Sequence, residues 1–245
     1  MENKKNINLV LSGGSARGLS HIGVISVLEK HFNIKSIIGT SMGAIVGGLY
    51  AYGYSPEEML EMPDSLNIMK LFSLFKPSFK SSGLTDGEGV LNYLEEKTKE
   101  IDIEQCKIPF AAVAYDLKSK RSVIIDKGSL AKAMRASSSL PFIFQPFPYS
   151  KYLFVDGYIE HPLPIKFAHY LDEEGLTVAC SVLPPVPLHF EIFQPDGDTS
   201  KKDLPSKYDI LFQTNFYSQA STVYDALLQA KPDIYISAYD EDLKF

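Results

Sequence analysis

The sequence predicts an α/β fold with a mostly parallel sheet and helices on both faces, and three observations carry that reading. Short apolar runs alternate with segments of helical periodicity along most of the chain. The joints at 12–18 and 40–41, each leading from an apolar run into a helical pattern, are short and made of small residues. The one long stretch rich in Pro, Asp and Ser, 184–206, is followed by too few residues for a separate core, so the whole chain, 1–245, reads as one domain.

Asn8 to Leu11 is the first strand, ending in the turn formers Ser12-Gly13-Gly14. Apolar residues at helical spacing from Leu19 to Phe32 make a helix. Ser36 to Gly39 is a second strand and Met42 to Tyr52 a second helix, joined only by Thr40-Ser41. Ser55-Pro56-Glu57-Glu58 starts another helix, with Ser as cap, Pro in the first turn and acids at the positive end.

Leu66 to Lys80 is apolar and aromatic with single lysines and no strand alternation, and Pro77 limits any helix there. It reads in two ways. One is a segment packed in the core; the other is a cover that turns Phe72 and Phe75 towards a lipid surface.

Asp86 to Lys99 is a helix. Pro109–Tyr115 and Arg121–Asp126 flank a turn as a hairpin, and Leu130 to Ala136 is a short helix. Tyr152–Val155 and Leu176–Leu183 are strands. A long helix over Tyr208–Ala230 and a strand over Asp233–Ile236 close the chain.

A net charge of −6 argues against a nucleic-acid binder, which needs an excess of Lys and Arg. Cys106 and Cys180 lack the spacing of a metal site or disulfide framework and read as reduced thiols. The N-terminus has no apolar signal core, and the glycine-rich stretch Ile37–Tyr54 falls short of a bilayer span of roughly 20 residues. The expectation is a cytoplasmic protein, with room for peripheral contact at the inner membrane surface.

Gly39-Thr40-Ser41-Met42-Gly43 is a G-x-S-x-G between an apolar strand and a small-residue helix. In that setting the serine sits on a sharp turn with its hydroxyl lifted clear, and the glycines relieve crowding. The bland alternative is a tight turn with an idle serine. Ser12–Gly18 offers a row of backbone N–H groups at a helix start, suited to an anion or a transient oxyanion. Both loops follow early strands, which in a parallel sheet puts them at one edge. A base is still needed. Asp156 closes an apolar strand beside Gly157, and a partly desolvated carboxylate there suits direct general-base work. His161, five positions on, is the competing base.

The set SGGSARG, GTSMG and DG, in that order, resembles the patatin-like phospholipases, in particular the bacterial branch related to neuropathy target esterases. LSGGSARGLSHIGVISVLE, IIGTSMGAIVGGLYAYG, GLTDG at 83–87, IPFAAVAYDL, MRASSSLPFIFQPF and YLFVDGYIEHPLPI extend the likeness over most of the chain. The resemblance implies a three-layer α/β/α sandwich and metal-free hydrolysis of acyl esters in phospholipids or lysophospholipids. It makes Ser41 the nucleophile and Asp156 its base. It makes the amides of Gly13, Gly14 and Ser15 the oxyanion hole, with Arg17 and Gly18 completing the loop. The chain departs from the family's pattern at Ser12 and Ser15, where glycines are usual, and at Tyr158, where a small residue is. Two rivals stand beside this expectation: a Ser-His esterase or acyltransferase using His161, and a patatin-like protein that binds lipid or a partner without catalysis.

Overall fold

The computed structural model describes residues 4–62, 85–141, 143–185 and 204–239. The segment holding Phe72 and Phe75 lies outside these residues, as does most of the 184–206 loop.

Eight strands form one sheet: β1 (Lys5–Leu11), β2 (Phe32–Thr40), β3 (Phe110–Asp116), β4 (Arg121–Ile125), β5 (Phe147–Tyr149), β6 (Tyr152–Asp156), β7 (Leu176–Ser181) and β8 (Ile234–Ser237). The order is β5-β6-β3-β2-β1-β7-β8, with β4 also on β3. Neighbours from β3 through β2, β1 and β7 to β8 run parallel, whereas β4 and β6 lie antiparallel to β3 and β5 antiparallel to β6. The parallel α/β expectation therefore holds, with an antiparallel flank. Strand β5, three residues long, is too short to show alternation and does not stand out in the sequence.

The helices are α1 (Ser20–His31), α2 (Met42–Tyr52), α3 (Pro56–Glu61), α4 (Glu88–Thr98), α5 (Leu130–Ser137) and α6 (Lys207–Ala230). Ser55 caps α3: its hydroxyl accepts from the Glu58 amide while the Glu58 carboxylate accepts from the Ser55 amide.

Alternation along the strands sorts the core into two layers. Leu9 and Leu11, Ile37, Phe110 and Ala112, and Val178 and Cys180 join the helices α1–α5 on one face. Val10, Ile38, Ala111, Val113 and Ala179 meet α6 and the turn at Ile165–Phe167 on the other. Two buried faces explain why the central strands read as continuous apolar runs rather than alternating ones. Each buried Leu, Ile or Phe adds about 1.5–3 kcal/mol over its exposed state. Helix α2 is buried along nearly its whole length, in keeping with a sequence apolar on every side. Among the described residues no helix is long and apolar enough to cross a membrane.

The register of β3 brings two strand ends together. Strands β2 and β6 both pair with the edge of β3 that faces away from β4, one after the other. Thr40, the last residue of β2, is opposite Val113; Asp156, the last residue of β6, is opposite Ala114. The two strands meet head to head, and their C-terminal ends fall at consecutive positions on a shared neighbour.

Candidate active site

Ser41 stands in the single-residue turn between β2 and α2, at φ 56° and ψ −124°. This is backbone that a side-chain-bearing residue adopts only under strain, on the order of 1–3 kcal/mol. The surroundings hold it there. The Ser41 amide donates to Ser137 Oγ at 2.9 Å, and that hydroxyl donates onward to the Val113 carbonyl at 2.6 Å. A glycine follows two residues later because α2 begins against the first loop: a Cβ on Gly43 would lie 2.5 Å from the Ser12 carbonyl oxygen.

Ser41 Oγ donates to Asp156 Oδ2 at 2.6 Å. The other carboxylate oxygen accepts from the Tyr158 amide at 3.0 Å, and the Asp156 amide donates to the Ser139 carbonyl at 3.0 Å. Asp156 is fully buried and Ser41 nearly so. Burial pushes the Asp156 carboxyl up to about 7; the Ser41 hydroxyl, the Tyr158 amide and the Arg135 charge act against that rise.

The glycine-rich loop arrives at the same place. Ser12 is tied down on all sides. Its amide donates to the Cys180 carbonyl, and its hydroxyl donates to the Gly13 carbonyl and accepts from the Val182 amide. Its carbonyl accepts from His21 Nε2 at 2.9 Å. His21 is fully buried, and desolvation lowers its pKa to about 4, so the ring stays neutral with its proton on Nε2. Gly14 lies at φ 155°, with Val182 where a Cβ would point, and Ser15 takes the left-handed φ of 49°. Ser15 thus adopts a backbone that glycine takes more readily, at a cost.

One expectation changes here. The Gly13 amide donates to the Pro162 carbonyl at 2.9 Å and is already occupied. The amides of Gly14 and Ser15 have no acceptor among the described residues. Gly18 packs against Met42, and the Arg17 guanidinium lies over the Phe216 ring at 4.7 Å and the Tyr239 ring at 5.5 Å.

A cavity of about 80 Å³ opens beside the serine. Gly13, Gly14, Ser15 and Ser41 line its base, with Leu140, Pro141, Pro162, Leu183 and Phe216 as apolar walls. Tyr158 forms part of the wall without filling the space, and its phenol oxygen accepts from Asn215 Nδ2 of α6 at 3.1 Å. His161 faces elsewhere. Its ring packs edge-on against Phe167, with Nε2 3.9 Å from Glu160 Oε1. What His161 contributes near the serine is its carbonyl, which accepts from Thr40 Oγ1 at 2.8 Å.

Sequence reasoning passed over Arg135, Ser137, Ser139, His21 and Asn215. A signal existed for the first three: an Arg and three serines closing a short helix, all buried, form a polar run that needs internal partners.

The family model for patatin-like phospholipases matches residues 9–169, which include Ser41 and Asp156. An uncharacterized NTE family protein of Mycobacterium tuberculosis is 38% identical over 177 residues, 72% of this chain and 49% of that protein. The lysophospholipase NTE1 of Candida albicans is 29% identical over 164 residues, 65% of this chain and 12% of that protein. Among solved structures, the heterodimeric ExoU–SpcU complex from the type III secretion system of Pseudomonas aeruginosa covers 92% of this chain and 52% of that chain, at 14% identity and a TM-score of 0.44. The chain thus spans about half the length of the mycobacterial relative it matches.

Proposed function

Because the chain belongs to the patatin-like phospholipase family, we propose that it is a serine acyl hydrolase that cleaves acyl esters of phospholipids or lysophospholipids through a Ser41–Asp156 dyad. The observation that supports this most directly is the 2.6 Å bond from Ser41 Oγ to a buried carboxylate. Residues 1–245 act as one catalytic domain in this reading, since both apolar layers pack on a single sheet.

Catalysis runs in two steps. Ser41 Oγ attacks the ester carbonyl carbon as its proton passes to Asp156 Oδ2. The carbonyl oxygen becomes an oxyanion and accepts from the Gly14 and Ser15 amides; one such donor is worth about 3–4 kcal/mol at the transition state. Collapse breaks the bond to the alcohol, which leaves with the proton from Asp156. Water then attacks the acyl-serine as Asp156 takes its proton; collapse breaks the bond to Ser41 Oγ, which regains that proton from Asp156, and the fatty acid departs. The Tyr158 amide on Oδ1 holds the carboxylate so that Oδ2 faces the serine. The apolar walls suit an acyl chain.

The test is hydrolysis of a soluble short-chain ester and of a lysophospholipid panel by the purified protein. Ser41→Ala and Asp156→Asn each lower kcat by about 10³-fold or more, while His161→Ala keeps most activity. Activity surviving in Asp156→Asn but lost in His161→Ala transfers the role of base to the histidine.

A further inference from the structure

Arg135 has the largest fully buried side chain of the described residues, and the proposed mechanism does not use it. Its guanidinium donates to the Asp86 carbonyl at 2.8 Å, the Gly87 carbonyl at 3.2 Å and Ser139 Oγ at 2.7 Å. The rings of Phe144 and Phe147 lie 4.4 and 5.3 Å from its central carbon. Every one of these partners is neutral, and no ion pair within 4.0 Å is found for Arg135 among the described residues. A buried guanidinium without a contacting counter-ion is expensive to keep.

Asp156 is in the same position with the opposite sign. It is a buried carboxylate whose contacts are a hydroxyl and an amide. The only other buried acid among the described residues, Asp116, is accounted for by the amides of Lys118, Ser119 and Leu153 in the hairpins. Ser139 joins the two lone charges: its hydroxyl accepts from Arg135 and its carbonyl accepts from the Asp156 amide. We propose that Arg135 is a positioning residue that acts as the counter-charge of Asp156 through the interior, favouring the ionised carboxylate that attack by Ser41 requires.

That use of the carboxylate rests on the function proposed above; the coupling of the two charges does not. The charged groups facing Arg135 are Asp86 and Glu88 at the start of α4, both exposed, and Asp156. Those facing Asp156 are Arg135 and the Tyr158 phenol. Asp86 and Glu88 are exposed and screened by water, whereas Asp156, the third acid acting on Arg135, is fully buried. The directions agree: the Arg135 charge lowers the Asp156 pKa against burial, and burial lowers that of Arg135 to about 10.

A pH-resolved double-mutant cycle tests the coupling without any need for activity. Unfolding is followed at pH 5 and pH 8 for the wild type, Arg135→Met, Asp156→Asn and the double variant. At pH 5 the carboxyl is protonated and needs no counter-charge. The expected result is a larger drop in Tm for Arg135→Met at pH 8 than at pH 5, with the excess gone in the Asp156→Asn background. Folding of Arg135→Met at pH 5 only carries the same conclusion. An equal loss at both pH values and in both backgrounds, or failure to fold in all of them, marks the guanidinium as structural and overturns the proposal. In ester hydrolysis, Arg135→Met raises the midpoint of the acid limb of kcat/KM by about 1 unit, and Arg135→Lys restores it. An unmoved midpoint in a folded Arg135→Met also overturns the proposal. A wild type without hydrolase activity defeats the functional reading alone, because the stability cycle still reports on the coupling.

Discussion

The carboxyl of Asp156 titrates near neutrality, at about 7, chiefly because it is buried. In its proposed role as base Asp156 works only when ionised, so kcat/KM for a soluble ester should rise through about pH 7 and level off above it. An acid limb centred near 4 would refute this. Stability should move the other way. Below about pH 4 the carboxyl is protonated in folded and unfolded chains alike. Between there and about 7 the unfolded chain gives up a proton that the folded protein keeps, so stability falls as pH rises and the loss is complete above 7. Asp156→Asn removes the titration, and its Tm relative to wild type should climb between pH 5 and pH 8. Ser15 tests the loop at the same scale. Its left-handed φ of 49° costs a serine about 1–2 kcal/mol, of which glycine recovers part after its own unfolded-state entropy. Ser15→Gly should therefore stay active with an equal or higher Tm, and Ser15→Ala should stay active too. Loss of activity in both would assign the work to the hydroxyl rather than the amide.

Elements meet at this site by close contact of their ends. Helix α2 starts against the carbonyls of Leu11 and Ser12, which would lie 2.6 and 2.5 Å from a Cβ at Gly43. Glycine inside a helix normally costs about 1 kcal/mol against alanine, so by helix propensity Gly43→Ala would stabilise. Packing reverses the sign. Backbone atoms give way less readily than side chains, and the substitution should cost about 2 kcal/mol, read as a fall in Tm of roughly 5 °C. A rise in Tm would show that the loop yields. The C-terminal end of α5 is the other joint. Ser137 holds the Ser41 amide and Ser139 the Asp156 amide, so one turn of chain positions both residues.

Over the whole molecule, the strands buried on both faces are β1, β2, β3 and β7, and the site lies at the C-terminal ends of β1, β2 and β7 and beside the middle of β3. Opening them exposes both apolar layers at once. In native-state hydrogen exchange the slowest amides should be those of Val10, Ile38, Ala112 and Ala179, near the global unfolding limit, with the edge strands β5 and β8 exchanging sooner. Faster exchange in β2 than in β8 would contradict this hierarchy. Helix α6 lies beyond residues 9–169 yet brings Asn215 and Phe216 to the cavity, so the site is completed by a part of the chain outside the family match.

Periodicity and turn chemistry act over a few residues, and what they govern was legible in the sequence: the order of strands and helices apart from β5, the α2 span from Met42 to Tyr52, the cap at Ser55 and the sharp turn at Ser41. Asp156, closing an apolar strand beside Gly157, read as the better partner for Ser41, but His161, five positions on, could reach the same edge. Strand pairing separated them. Only the register of β3 puts Thr40 and Asp156 at successive positions, because β6 arrives antiparallel in line with β2 while the His161 ring turns to Phe167. The capture of the Gly13 amide by Pro162 and the bridge from Arg135 through Ser139 to Asp156 likewise join residues far apart in the chain. Such contacts depend on where whole elements pack, which is a property of the assembled core and of no single segment.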